Sequence, residues 1–355
     1  MRIENKEGLP LPAGIPAGED SYLLLSAKNT GREALPRITA ILDSRDPLLE
    51  GREFHFGKIP PGTEKSAKVK IKVPRDYLSG ISEYQIVALS GFKVVAKQPG
   101  GKMIFAELPR PHFSLSYVIS DAPPGANGSG TFEPGETVNI ALTLKNNGKG
   151  TSQKPRISIR NPGNKEIYIK NGRCEFAAMP PQKTESCSLT IEIKKEMRED
   201  RFALTVTAFD GEMGEGIGEK LVIGLGGQDL VKSDAPGMDV LSPASATLTT
   251  PVIKVGPLPN TAMINSPKVR MDGTVLSPDG FKDFYVKVND KKVYFKAAPP
   301  GATSMPFSVE LPLNDGINSI FLVGRKDDDL MSLQRFILTR PAGKEDMEKS
   351  RWNNQ

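Results

Sequence analysis

Residues 131–148 read TFEPGETVNIALTLKNNG, and the way this stretch is built decides the fold. Val138, Ile140, Leu142 and Leu144 alternate with Asn139, Ala141, Thr143 and Lys145, the period of two that gives a strand one apolar face. A Glu-Pro-Gly-Glu turn precedes it and an Asn-Asn-Gly turn follows. Such a strand buries its apolar side only within a sheet packed on a second sheet. Residues 17–31, AGEDSYLLLSAKNTG, repeat the pattern. Gly18, Glu19, Leu23, Leu25, Lys28 and Asn29 match Gly135, Glu136, Ile140, Leu142, Lys145 and Asn146, and each pair lies 117 positions apart. That is about the length of one small β-sandwich.

The correspondence extends outward from these strands. Pro36, Arg37 and Ile38 match Pro155, Arg156 and Ile157; Phe56 matches Phe176; the Pro60-Pro61 turn matches Pro180-Pro181; Val69, Ile71 and Val73 match Leu189, Ile191 and Ile193. Turns and buried face agree together, as a duplication requires. Repeat one is expected over 1–108 and repeat two over 109–227. Before its Gly-Glu turn, repeat one has only a short Pro/Gly-rich lead where repeat two has a full strand, 113–120, so the sequence reads as the later part of something longer. Residues 228–250, rich in Gly, Ser, Pro and Thr, read as a linker. Short strands over 252–255, 269–275, 284–288, 292–295, 307–311, 319–323 and 335–338 then define a third unit, 251–341, with hairpin turns at Asn289-Asp290 and Asp315-Gly316. Residues 342–355, which hold Trp352, form a polar tail. The expected fold is all-β: three tandem immunoglobulin-like β-sandwiches.

Composition fits this reading. Charged residues are 25% and apolar residues 38%, against wholesale disorder, and the 34 Gly and 30 Pro suit many turns between many strands. The net charge of +5 is a small difference between 47 basic and 42 acidic residues, with no basic patch interleaved by aromatics, so no nucleic-acid partner is expected. Lys65, Lys68, Lys70 and Lys72 fall mostly on the polar phase of a strand and read as its wet face. No apolar run reaches the length of a membrane span, and the first residues lack the apolar segment of a signal peptide.

Candidate chemistry is sparse. His55 and His112 are the only histidines and lie in different repeats, without the second ligand or positioned partner that a metal site or a general base needs. Ser129, between Gly128 and Gly130, sits in a loop rather than a nucleophile elbow. Asp121, Glu133 and Glu136 are the spaced acids of a loop that could wrap calcium, and Asp327, Asp328 and Asp329 form a second acidic run; solvated turns are the simpler expectation for both. Cys174 and Cys187 fall on the apolar phase of strands flanking the Pro180-Pro181 turn and replace Phe54 and Ala67 of repeat one. A bridge across that hairpin and a pair of buried thiols are both compatible with this, the bridge implying an oxidising compartment. Tyr168, Tyr285 and Tyr294 are the candidates for a sugar-stacking platform. No catalytic residue and no cofactor is expected.

The pattern of repeat two resembles immunoglobulin-like modules of bacterial envelope proteins. It carries N-G-x-G, P-G-E, an alternating strand ending in K-N-x-G-x-G, and then N-G-R. With PVIKV at 251–255, DGFKDFYVKVNDKKVYFK at 279–296 and LNDGINSIFLVGRKDDD at 313–329, it resembles more narrowly the carboxyl-terminal part of large tail-specific serine peptidases of deltaproteobacterial type. The resemblance implies a periplasmic or cell-envelope location, a protein partner or substrate, and a peptidase core with a PDZ domain upstream. No segment here resembles that core, so no catalytic residue is carried over. The resulting expectation is a non-catalytic binding or spacer region that positions substrate or docks partners for a protease. An adhesive or structural surface repeat and a carbohydrate-binding module are the alternatives.

Overall fold

The computed structural model describes residues 1–44, 46, 48–91, 93–121, 125–226, 245–256, 264 and 266–340. Every regular element among them is a β-strand, and the strands form five sheets around three clusters of buried apolar side chains. The first core lies between a three-stranded sheet (Arg2–Glu4, Asp20–Lys28, Glu64–Lys72) and a five-stranded one (Ile15–Pro16, Lys93–Ala106, Gly80–Ser90, Leu35–Ser44, Glu53–Ile59). Leu23, Leu42, Phe54, Ile71 and Phe105 fill it. The second core lies beneath Ile167–Asn171, Thr184–Ile193, Thr137–Asn146, Phe113–Ser120 and Ser245–Thr249, and above Arg173–Glu175, Pro155–Arg160, Arg201–Asp210 and Glu215–Gly224. Setting aside the added strands Ser245–Thr249 and Arg173–Glu175, this is the strand order of an immunoglobulin-type sandwich. The third core lies between Val252–Val255, Lys268–Leu276 and Ser304–Pro312 on one side and Leu330–Arg340, Gly316–Arg325, Asp283–Val288 and Lys291–Ala297 on the other.

The duplicated motif does the same work twice. Asn29 and Asn146 are both buried, and each side-chain amide donates to the carbonyl just before a Pro-Pro turn: Ile59 at 2.9 Å, Met179 at 2.9 Å. Each also accepts from the glycine two residues on, Gly31 at 2.9 Å and Gly148 at 2.9 Å. The Gly-Glu turns match as well, since the Gly18 amide bonds Val73 and the Gly135 amide bonds Ile193. One difference is informative. The turn residue with left-handed backbone is Gly62 in the first copy but Gln182 in the second, a conformation that costs a non-glycine residue about 1–2 kcal/mol.

Three features depart from the expectation of a simple tandem array. First, Leu330–Arg340 pairs with Glu215–Gly224, Glu215 opposite Gln334 through Glu219 opposite Leu330, so the lower sheets of the second and third cores are one sheet of eight strands. Second, the expected linker ends in a strand: Ser245–Thr249 pairs with Phe113–Ser120, and residues 227–244 lie outside the described residues. Third, Cys174 and Cys187 are bonded to each other, but not across a hairpin. Arg173–Glu175 and Thr184–Ile193 belong to facing sheets, so the bond ties the two layers of the second sandwich at their edge. Closing a loop of this size contributes on the order of 3 kcal/mol. The polar tail lies outside the described residues.

The turn between Arg201–Asp210 and Glu215–Gly224 is where the three units meet. Arg110 Nη1 donates to the Met213 carbonyl and to Glu215 Oε1, both at 3.0 Å, while its Nη2 donates to the Asp76 carbonyl of the first unit at 3.2 Å. Its guanidinium also sits 4.9 Å from the centre of the Phe336 ring of the third unit. Gln334 Nε2 donates to the same Glu215 oxygen at 2.7 Å. From the first unit, Leu78 joins the third core. Gly214 is needed at the contact: its φ is +69°, and a Cβ there would lie 2.6 Å from the Arg335 carbonyl oxygen.

Burial drives Glu215 up to about 7 in spite of Arg110. Glu219, four residues along the same strand, is pushed up to about 8 by burial and by Asp327 and Asp329. Its Oε2 has no hydrogen-bond partner, and it in turn helps raise the buried Tyr117 hydroxyl to about 12. Both carboxyls therefore hold protons in the folded chain that the unfolded chain releases above about 4.5.

Two outcomes follow. Asn146→Ala leaves buried backbone groups unpaired and should cost about 2–4 kcal/mol in denaturant unfolding, against less than about 0.5 kcal/mol for an exposed control such as Lys149→Ala. In thermal melts, stability should be highest below about pH 5 and fall as pH rises through about 7 and 8, because the unfolded state then binds fewer protons than the folded one. Glu219→Gln should flatten the upper part of that decline; an unchanged slope would show that Glu219 titrates as an ordinary carboxylate.

Candidate binding surface

The eight-stranded sheet has two unlike faces. Ile157, Leu204, Ile217, Leu322 and Phe336 point from one face into the second and third cores. On the other face, cross-strand registers line up one residue from each strand: Phe295, Tyr285, Val323, Leu333, Gly216, Phe209, Arg156 and Glu175. Seven interstrand steps make this row roughly 34 Å long. Phe295 is 52% exposed, and Tyr285, Leu333 and Phe209 are half-buried. At the junction between the two halves, a Cβ on Gly216 would lie 2.6 Å from the Phe209 ring, which covers the backbone there.

Cations lie along the row. Lys292 Nζ is 4.4 Å from the centre of the Tyr285 ring and 5.4 Å from that of Phe295, and Arg335 is 5.6 Å from that of Phe209. Arg325 pairs with the buried Asp283 through two hydrogen bonds, 2.8 and 2.5 Å, and lies 6.0 Å from the Tyr285 ring centre. These contacts orient the rings and hold them by cation–π attraction. Burial raises the Tyr285 hydroxyl above its usual range, so this ring stays neutral at physiological pH.

The residues singled out from the sequence are scattered. Tyr285 lies on this face. Tyr294 packs edge-on against Phe284 at 6.1 Å, on the core side, and Tyr168 is exposed on an edge strand of a different sheet. The three tyrosines therefore form no common platform. His55 is exposed beside Thr39 and Glu53. His112 is half-buried at the junction, where its ring lies 3.2 Å from the Thr250 carbonyl and desolvation lowers its pKa. Ser129 bonds within its own loop, to Thr131.

The acids of the 121–136 loop bind backbone amides. Asp121 accepts from Gly130 at 3.0 Å, and Glu136 accepts from Asn127 and Glu133 at 3.1 and 2.9 Å. Glu133 Oε2 accepts from the Asn127 side chain at 3.3 Å. At the other acidic run, Asp327 accepts from the amides of Asp329 and Leu330, Asp328 pairs with Lys282 and Arg325, and Asp329 lies 3.9 Å from Lys220. Among the described residues no three His, Cys, Asp or Glu side chains converge as a metal ion requires. Among the described residues no helix is long and apolar enough to cross a membrane. The lysine-rich strand Glu64–Lys72 is a sheet edge, with Lys70 on Asp20 at 2.6 Å and Lys68 on Glu4 at 3.4 Å.

A cavity of about 960 Å³ opens between the first and second units beside Lys6, Glu19, Arg75, Asp76 and Glu212. It holds no aromatic side chain, and Arg75 is engaged with Glu212 at 3.4 Å.

No known family profile and no curated protein matches the chain. Among solved structures, the chain is similar over 95% of its length to the BSP domain of a biofilm-associated protein, at 10% identity, 81% coverage of that chain and a TM-score of 0.18. A surface glycan-binding protein B of the Bacteroides ovatus mixed-linkage glucan utilization locus, solved with a heptasaccharide, is 11% identical over 92% of the chain. There the TM-score is 0.15 and 65% of that protein is spanned. The secreted serine protease VesC of Vibrio cholerae is 9% identical over 89% of the chain and 75% of its own, with a TM-score of 0.19. Similarities of this size leave the functional reading to the surface itself.

Proposed function

We propose that this chain is a non-catalytic surface-binding protein with an adhesive or structural role, in which the joined eight-stranded sheet presents its open face to a macromolecular ligand. The observation that carries the reading is the sheet's asymmetry. One face is used up on two cores, and the other carries a row in which Phe295 is exposed and Tyr285, Leu333 and Phe209 are half-buried around the buried Val323, the rings held in place by neighbouring cations. Exposed aromatic rows of this kind are costly to leave in water and mark recognition surfaces. Because the backbone ladder runs unbroken through the row, the face has little conformational freedom to lose on binding. The Cys174–Cys187 bond supports an oxidising compartment, at the cell envelope or outside the cell. Service to a tail-specific peptidase rests on the sequence pattern alone.

The test is retention of purified chain on beads carrying cell-envelope polysaccharides and surface proteins, compared with a Tyr285→Ala/Phe295→Ala variant. The variant should bind at least tenfold more weakly to whichever ligand retains the parent, with an unchanged melting temperature. Equal retention, or cleavage of casein by the isolated chain that a Ser→Ala change abolishes, would contradict the reading.

A further inference from the structure

The row ends at a groove that the sequence reading missed. On Pro155–Arg160, the alternation that sends Ile157 and Ile159 into the core sends Arg156, Ser158 and Arg160 outward. The arginines are two residues apart from Ser158 on either side, about 13 Å end to end by strand rise. On the neighbouring strand, Arg173 stands directly opposite Ser158. Three arginines therefore flank Ser158 and line, with it, a cavity of about 370 Å³ that Lys170 and Asn171 also line. Lys170 is already engaged, with Glu192 at 2.8 Å and Thr137 at 3.0 Å. Among the described residues, Arg156, Arg160 and Arg173 make no salt bridge and no side-chain hydrogen bond. Even Glu175, opposite Arg156, forms no ion pair with it.

Such a cluster repels itself when empty and is matched by an oxyanion, which a guanidinium recognises through paired N–H donors. It is also held in shape. Cys174, between Arg173 and Glu175, is bonded to Cys187 of the facing sheet, so the inward turn of Cys174 fixes the outward turn of Arg173. We infer that this groove binds the carboxylate or sulfate groups of an acidic polysaccharide whose chain continues along the ring-bearing row; this rests on the binding role proposed above. A polymer with charges at intervals can satisfy several arginines at once and place apolar sugar faces on Phe209 and the rings beyond. A nucleic acid fits less well, since it asks for free cations all along its backbone, and past the groove Lys292, Arg325 and Arg335 already lie against the rings of Tyr285, Phe295 and Phe209, with Arg325 also paired to the buried Asp283. A peptide adding as a strand is opposed by the edge itself, which is only three residues long.

The experiment is affinity electrophoresis and calorimetry of the full chain with polygalacturonate, heparin, neutral dextran and a single-stranded oligonucleotide, at low and high salt. Polygalacturonate or heparin should bind, dextran should bind at least tenfold more weakly, and binding should weaken as salt rises. Arg156→Ala/Arg160→Ala/Arg173→Ala should reduce affinity at least tenfold with an unchanged melting temperature. Cys174→Ser/Cys187→Ser should weaken binding where it remains folded by circular dichroism, and Arg156→Lys/Arg160→Lys/Arg173→Lys should retain only part of it. No binding to either acidic polymer, oligonucleotide binding as tight as that of the acidic sugars, or a triple alanine variant that binds like the parent would overturn the inference. If acidic-polymer binding fails while the Tyr285→Ala/Phe295→Ala variant still loses retention on another ligand, the groove assignment falls and the binding face stands; if neither ligand nor face effect is found, both fall.

Discussion

Everything distinctive about this molecule depends on a five-residue backbone ladder, Glu215–Glu219 against Leu330–Gln334. Without it, the second and third units would be ordinary sandwiches joined by a connector, free to tilt as neighbouring domains usually do. With it, two lower sheets become one surface, and residues more than 100 positions apart in sequence share a row. The ladder is anchored at its Glu215 end by a carboxylate that Arg110 and Gln334 both hold. A single buried oxygen thus ties the connector after the first unit to the strand that carries the third. The cost of burying the carboxyls at the two ends of the ladder, Glu215 and Glu219, is visible in their raised pKa values, so the ladder loses stability as pH rises.

Much of the architecture could be read from the chain itself. Alternation in 138–145 gave both the strand and its buried side, and the 117-residue offset correctly paired Asn29 with Asn146, which make equivalent hydrogen bonds. Turn chemistry was legible in part: Asn289 and Asp290 both have positive φ, as a tight hairpin demands, whereas at Asp315-Gly316 the chain crosses from Ser304–Pro312 in one sheet to Gly316–Arg325 in the other and forms no hairpin. These signals are local, so a single strand with its flanking turns carries them.

What escaped the sequence depends on pairings between distant strands. Nothing in the alternation of 215–224 says whether its outer neighbour is solvent or another strand, although the glycines at 216 and 218 leave room for close approach. The cysteines were read as neighbours because their strands flank a tight turn; the chain instead crosses from one sheet to the other at that turn, which periodicity cannot distinguish from a hairpin. The strand Ser245–Thr249 lies in a segment whose Ser, Pro and Thr content masks its role, since its partner Phe113–Ser120 supplies the apolar context. The arginine triangle had a partial signal in the alternation of Arg156, Ser158 and Arg160, but Arg173 reaches it only through the register of a three-residue strand.

The most direct test of the joined sheet is amide hydrogen exchange across the ladder. If the two units share one sheet, the segments 215–219 and 330–334 should be protected to the same degree as pairs such as 201–205 with 220–224, and should lose protection together as pH rises. Rapid exchange at 216–218 and 331–333, with the flanking strands still protected, would show two sandwiches that merely touch.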